Sequence, residues 1–134
     1  MNIYNQNIWN IIVDYTMGFR VVYENKVVAY DGANLDNIYK KQVKTLKWEG
    51  VEPFEVKDSR FFSGLDRVHR ILGYYILPRD SGFLFSGLKY LHVLGDFDTS
   101  AVEDMSNMFD GCFKLNDGII GSWDVGCVTN MNYM

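Results

Sequence analysis

The chain has 134 residues, 48% of them apolar and 16% aromatic, with a formal net charge of −4. That is one domain's worth, long enough to bury a core, and it excludes a disordered or collagen-like chain. Two cysteines, Cys112 and Cys127, exclude a disulfide framework and lack the C-x-x-C spacing of zinc or redox sites. The charge is unevenly placed. Residues 1–60 balance, 61–95 carry +2, and from Asp96 onward seven acids face Lys114 alone.

The first residues, M-N-I-Y-N-Q-N-I-W-N, lack a basic stretch followed by a long apolar run, and no segment approaches the ~20 apolar residues of a membrane span. The expectation is a cytoplasmic protein. Phe19-R-V-V-Tyr23 and Val27-V-A-Tyr30 alternate around Glu24-Asn25-Lys26, which predicts a β-hairpin. Asp31-Gly-Ala-Asn then leads into a short helix from Leu35. Residues 1–42 are read as a cap over the apolar end of the repeats beyond them.

From residue 43 the chain repeats itself. Phe62-Ser-Gly-Leu65 recurs as Phe85-Ser-Gly-Leu88 and as Phe109-Asp-Gly-Cys112, each followed by a second apolar residue three positions on. Val43-K-T-Leu46 keeps that spacing without the Phe-x-Gly entry. The first members, at 43, 65, 88 and 112, are 22 to 24 apart, the period of leucine-rich repeats. One such unit cannot bury its apolar face alone, so stacking is required. The expected inward columns are Val43, Leu65, Leu88 and Cys112, and beside them Leu46, Val68, Leu91 and Leu115. Gly64, Gly87 and Gly111 are expected to close turns in a left-handed conformation. Phe97-Asp98 returns as Trp123-Asp124, Val102 as Val128, Met105 as Met131, and Met108 as Met134. The three-and-four spacing at 102, 105, 108 and 109, after a Ser100/Glu103 capping pattern, predicts a short helix with a Met seam. The fold class expected is α/β: a short leucine-rich-repeat-like solenoid, one strand plus a short helix or turn per repeat over 43–134, with an N-terminal hairpin and helix cap over 1–42.

The stretch D-T-S-A-V-E-D-M-S-N-M-F-D-G-C-F-K-L-N, followed by W-D-V-G-C-V-T-N-M-N-Y-M, resembles the BspA-like bacterial leucine-rich repeats, units of about 25 residues with a W/F-D-x-S-x-V-x-x-M-x-x-M-F core. The close likeness covers about 97–134, and looser copies reach back to about 43. It implies a solenoid with an interaction role and carries no catalytic residue.

Chemistry is sparse. No P-loop, nucleophile elbow, H-E-x-x-H or G-x-G-x-x-G motif occurs. The Asp-led turns lack the calcium-loop pattern and read as caps. His69 and His92 occupy the same place in successive repeats, and strand alternation points that place outward with Lys47 and Asn116. Thr45, Arg67, Tyr90 and Lys114 form a parallel row. Neither histidine has a carboxylate or cysteine in its row, so no enzyme activity, cofactor or metal is expected. The candidate contact residues are Lys47, Arg67, His69, Tyr90, His92 and Lys114 on the strand face, the acidic Asp98, Glu103 and Asp104, and Trp123, Met131 and Met134 at the far end. The expected function is a non-catalytic module binding a protein through that face or through its C-terminal repeat end, where homo-oligomers could also form. Direct nucleic-acid or membrane binding is not expected. The alternative is a small intracellular inhibitor of a nucleic-acid-handling enzyme, of the anti-CRISPR type, whose clustered carboxylates block a basic site.

Overall fold

A computed structural model describes residues 18–24, 26–30, 35, 38, 40–116 and 118–134. The expected cap over 1–42 is therefore seen only in part. Strands β1 (Phe19–Val22) and β2 (Val27–Tyr30) form the hairpin that the alternation predicts, pairing antiparallel. The Tyr23 N–H donates to the Lys26 carbonyl at 2.9 Å to close it. β1 also pairs antiparallel with β3 (Thr45–Trp48). β5 (Arg70–Ile76) then runs parallel to β3 and to the two-residue β4 (Phe54–Glu55) on one side, and to β6 (Val93–Asp98) on the other. The sheet is mixed and six-stranded. No helix among the described residues is long and apolar enough to cross a membrane.

This overturns the expected fold class. The described residues contain no α-helix, only 3-10 turns at Lys40–Gln42 and Gly118–Ser122, so the fold is not a solenoid of strand-plus-helix units. The helix predicted from Leu35 falls largely on residues outside the described ones, 36, 37 and 39; beyond them the chain forms the first of those turns. The predicted Met-seam helix is absent as well. Its spacing has another cause. The segments between strands are chains of turns, each closed by the N–H of residue i+3 donating to the carbonyl of residue i. Leu65 bonds Phe62 and Val68 bonds Leu65; Leu88 bonds Phe85 and Leu91 bonds Leu88; Met108 bonds Met105. A corner every three residues turns Phe62, Leu65, Val68 and Ile71 to the same side, and all four are fully buried. Phe85, Leu88, Leu91 and Leu94 repeat the arrangement, and Val102, Met105 and Met108 are equally buried. Over two or three steps a period of three imitates a helical face. The left-handed corners at Gly64, Gly87 and Gly111 (φ +91°, +80° and +78°) exclude a continuous helix.

Repeats do stack side by side, though the first two do so in another register. Leu46 lies opposite Ile71, so Val43 aligns with Val68 and Leu91, not with Leu65. At the other end Cys112 and Leu115 are only partly buried against the core. Two aromatic ladders run across the stack. Phe62, Phe85 and Phe109 stack with centroids 5.4 and 5.5 Å apart, and Tyr75 stacks on Phe97 at 5.0 Å with Trp123 beyond at 6.0 Å. The expected equivalence of Phe97 and Trp123 is thus a direct contact. A second backbone ladder joins Arg79, Glu103 and Thr129: the Glu103 N–H donates to the Arg79 carbonyl and the Thr129 N–H to the Glu103 carbonyl, both at 2.8 Å. Parallel bridges link Asp80, Asp104 and Asn130 beside it.

The half-buried Cys112 thiol donates to the Phe85 carbonyl at 2.9 Å, and burial, with a small further push from the Asp110 charge, raises its pKa to about 11. Cys127 is exposed. Because the thiolate is the reactive form, iodoacetamide at pH 8 is expected to label one cysteine rapidly, Cys127, and Cys112 only on unfolding. Equal rates at both sites in peptide mapping would contradict this burial.

Candidate surface and basic cleft

His69 precedes β5 and His92 precedes β6, and the parallel ladder brings them together. The His92 N–H donates to the His69 carbonyl at 2.9 Å, and the His69 N–H to the Lys44 carbonyl at 2.8 Å. The imidazoles stand 5.7 Å apart, with the Tyr90 ring 5.9 Å from His69. His92 Nδ1 lies 3.2 Å from the Tyr90 carbonyl, which orients that ring. Tyr90 and His92 are exposed and His69 is half-buried, so the three rings form a surface strip. Arg67 and Lys114 are exposed in the adjoining turns.

The register places Lys44 beside His69. Lys47 pairs with Leu72 instead, and its Nζ lies 3.9 Å from Glu49, which also accepts from Arg20 Nε at 2.7 Å. Partial burial, then the Lys44 charge, then His92, hold the His69 imidazole below its ordinary pKa. A histidine lowered in this way binds fewer protons in the native state than in the unfolded chain. It therefore removes stability as pH falls from the ordinary histidine value toward the lowered one. The effect is small at a largely solvated ring. The expected NMR titration has His69 midway below 6.5, moving upward in Lys44→Gln; an unchanged midpoint in that variant would refute the charge coupling.

The acidic candidates have local duties. Asp98 Oδ1 accepts from the Ser100 hydroxyl at 2.6 Å and from its N–H at 3.0 Å, and Asp104 Oδ1 from the Ser106 N–H at 2.8 Å, which lowers both carboxyl pKa values. Asp80, Asp124 and Asn130 make the same turn-closing bond two residues on. These turns replace the helix caps that the Asp-led wording suggests. Glu103 binds Arg79 Nη2 through both oxygens, at 2.9 and 3.1 Å. Trp123 is buried, with an indole N–H that meets no acceptor among the described residues, and with Tyr74, Asp96, Asp98 and Asp124 it lines a concavity of about 440 Å³. Met131, Tyr133 and Met134 are exposed. The predicted residues therefore fall in separate places: the ring strip, the Arg79–Glu103 ladder, the Trp123 concavity and the segment 131–134. Among the described residues no cluster of three or more His, Cys, Asp or Glu side chains is placed to hold a metal.

A second concavity involves residues that, Arg67 apart, no sequence motif singles out. Tyr23, Glu24 and Lys26 of the hairpin turn, Lys41, Gln42 and Lys44 before β3, and Asp66 and Arg67 before β5 line a cleft of about 700 Å³. The K-K-Q-V-K run at 40–44 signals it in part. Lys26 and Arg67 arrive only through the β1–β3 and β3–β5 pairings.

Fold and surface together define a repeat-built β protein with an exposed aromatic and cationic strip. Within it, residues 82–134 match the model of a family described as a Mycoplasma protein of unknown function, DUF285. No curated protein and no solved structure matches the chain.

Proposed function

We propose that the protein is a non-catalytic interaction module whose His69–Tyr90–His92 strip, flanked by Arg67 and Lys114, binds an acidic surface of a protein partner. The convergence of those three rings on the exposed side of successive repeats carries the reading. Tyrosine and arginine dominate binding energy at protein interfaces, and the cations around them favour a carboxylate-rich partner. The likeness of the repeats to the BspA-like kind, in which the resemblance implies an interaction role, is in keeping with this reading. The β1–β2 hairpin serves in this reading as the cap of the sheet's β3 edge. The blocking of a nucleic-acid-handling enzyme is the less favoured reading, because Asp98, Asp104 and Asp124 each commit an oxygen to their own turn and Glu103 is held by Arg79.

Affinity capture with the native chain and with a Tyr90→Ala/His92→Ala variant tests the proposal. A partner retained by the native chain and lost by the folded double variant is expected, with Met131→Ser still binding. The same partner retained by the double variant, or no partner at all, would overturn it.

A further inference from the structure

The cleft between the hairpin turn and the first two repeats is a second site, on the hairpin side of Lys44. It shares Arg67 with the margin of the strip but does not require a partner to bind there. We infer that it binds a small phosphate monoester. Lys26, Lys41, Lys44 and Arg67 converge on it against Glu24 and Asp66, an excess of two positive charges among the described residues that line a concavity of about 700 Å³. None of the four cations makes an ion pair with another described residue; Lys26 Nζ instead lies 5.5 Å over the Tyr23 ring. Cations of one sign left unpaired around a recess focus their field into it.

Burial first, and then the charge of Lys44 beside it on the backbone ladder, hold the His69 imidazole below its ordinary pKa at the margin of the cleft. The volume lies within the usual range for a small-molecule site, roughly 300–1,000 Å³. Lysine ammonium groups are compact charges suited to phosphoryl oxygens, and the Arg67 guanidinium adds a planar fork for two of them. The two carboxylates decide the rest of the ligand. They repel a longer polyanion, such as a nucleic-acid backbone, and accept hydrogen bonds from hydroxyl groups. A dianionic phosphate on a polyol therefore matches the charge excess and the acceptors together.

The test is a ¹⁵N-edited NMR titration of the whole chain with a hexose 6-phosphate, the unphosphorylated hexose, inorganic sulfate and a single-stranded oligonucleotide. Saturable shifts at the amides of residues 26, 41–44, 66 and 67 are expected with the hexose phosphate and not with the hexose, together with an upward move of the His69 titration. Lys44→Gln combined with Arg67→Gln is expected to weaken binding at least ~10-fold, whereas the exposed Lys57→Gln leaves it unchanged. Lys57 and Arg67 are exposed and Lys44 is half-buried outside the core, so thermal midpoints should hold and loss of binding can be separated from loss of fold. The inference is overturned by any of four results: no saturable shift, sulfate binding as tightly as the hexose phosphate, tighter binding of the oligonucleotide, or undiminished binding by the double variant. Failure of partner capture at the ring strip would leave this titration unaffected.

Discussion

Replacing Phe85 by Ala is expected to cost about 3–5 kcal/mol of unfolding free energy, among the largest losses open to a single side chain here. Phe85 is fully buried at the crossing of the two aromatic ladders: stacked between Phe62 and Phe109, and edge-on to Phe97 at 5.5 Å. Truncation removes the contacts of three rings at once, and rings held by backbone ladders on both sides have little freedom to collapse into the space. Against a total stability of about 5–15 kcal/mol for such a domain, the variant should be largely unfolded or nearly so at 37 °C. Urea denaturation followed by tryptophan fluorescence measures the change. A loss below about 1 kcal/mol would mean that Phe85 is not the centre of the packing.

Gly95→Ala is expected to be nearly as damaging, at about 3 kcal/mol, from crowding instead of a void. A Cβ on Gly95 would stand 2.5 Å from the Gly73 carbonyl oxygen and 2.7 Å from its nitrogen. Gly73 itself has φ +111° and leaves no room beside the backbone of Trp48, where a Cβ would lie 2.8 Å from the carbonyl oxygen. The two glycines sit where the β5–β6 register shifts between Ile71 and Tyr74, and they let three strands approach at that point. All the obstructing atoms of Gly95 are backbone, so no rotamer relieves them. Gly121→Ala, with open space around the residue, should cost almost nothing, and Gly87→Ala, unobstructed but left-handed at φ +80°, about 1 kcal/mol. Equal melting temperatures for Gly95→Ala and Gly121→Ala would refute this close approach.

The residues alone reveal structure only where their pattern is unambiguous. The hairpin is legible because two β-branched and aromatic runs flank the short polar Glu24-Asn25-Lys26, and the structure pairs them antiparallel. The repeats are legible because Phe-x-Gly-x recurs three times. Their internal structure is not. Val102, Met105 and Met108 lie three apart, and so few steps do not separate a 3.6-residue helix from corners every three residues. The first repeat is ambiguous for a related reason. Val43-K-T-Leu46 fits Leu65-D-R-Val68 and Val68-H-R-Ile71 equally well, and only the Lys44–His69 backbone bond chooses between them. That one-step slip hides Lys44 and puts Lys47 in its place. The His69–His92 pair survives because both lie in later repeats, where the Phe-x-Gly entry anchors the alignment. The cleft depends on tertiary pairing: Lys26 reaches Lys44 across β1, and no local spacing encodes that approach. Nor does composition point to Gly73 and Gly95, although L-G-Y and L-G-D occupy related places in β5 and β6.

Strip and cleft both depend on the stacked-corner register, and a NOESY spectrum of the aromatic and imidazole protons tests it most directly. Ring contacts are predicted from Phe85 to both Phe62 and Phe109 and from His69 to His92, with no Hα(i)–Hβ(i+3) series running through residues 102–109. A helical series there, with the Phe85–Phe109 and His69–His92 contacts missing, would contradict it.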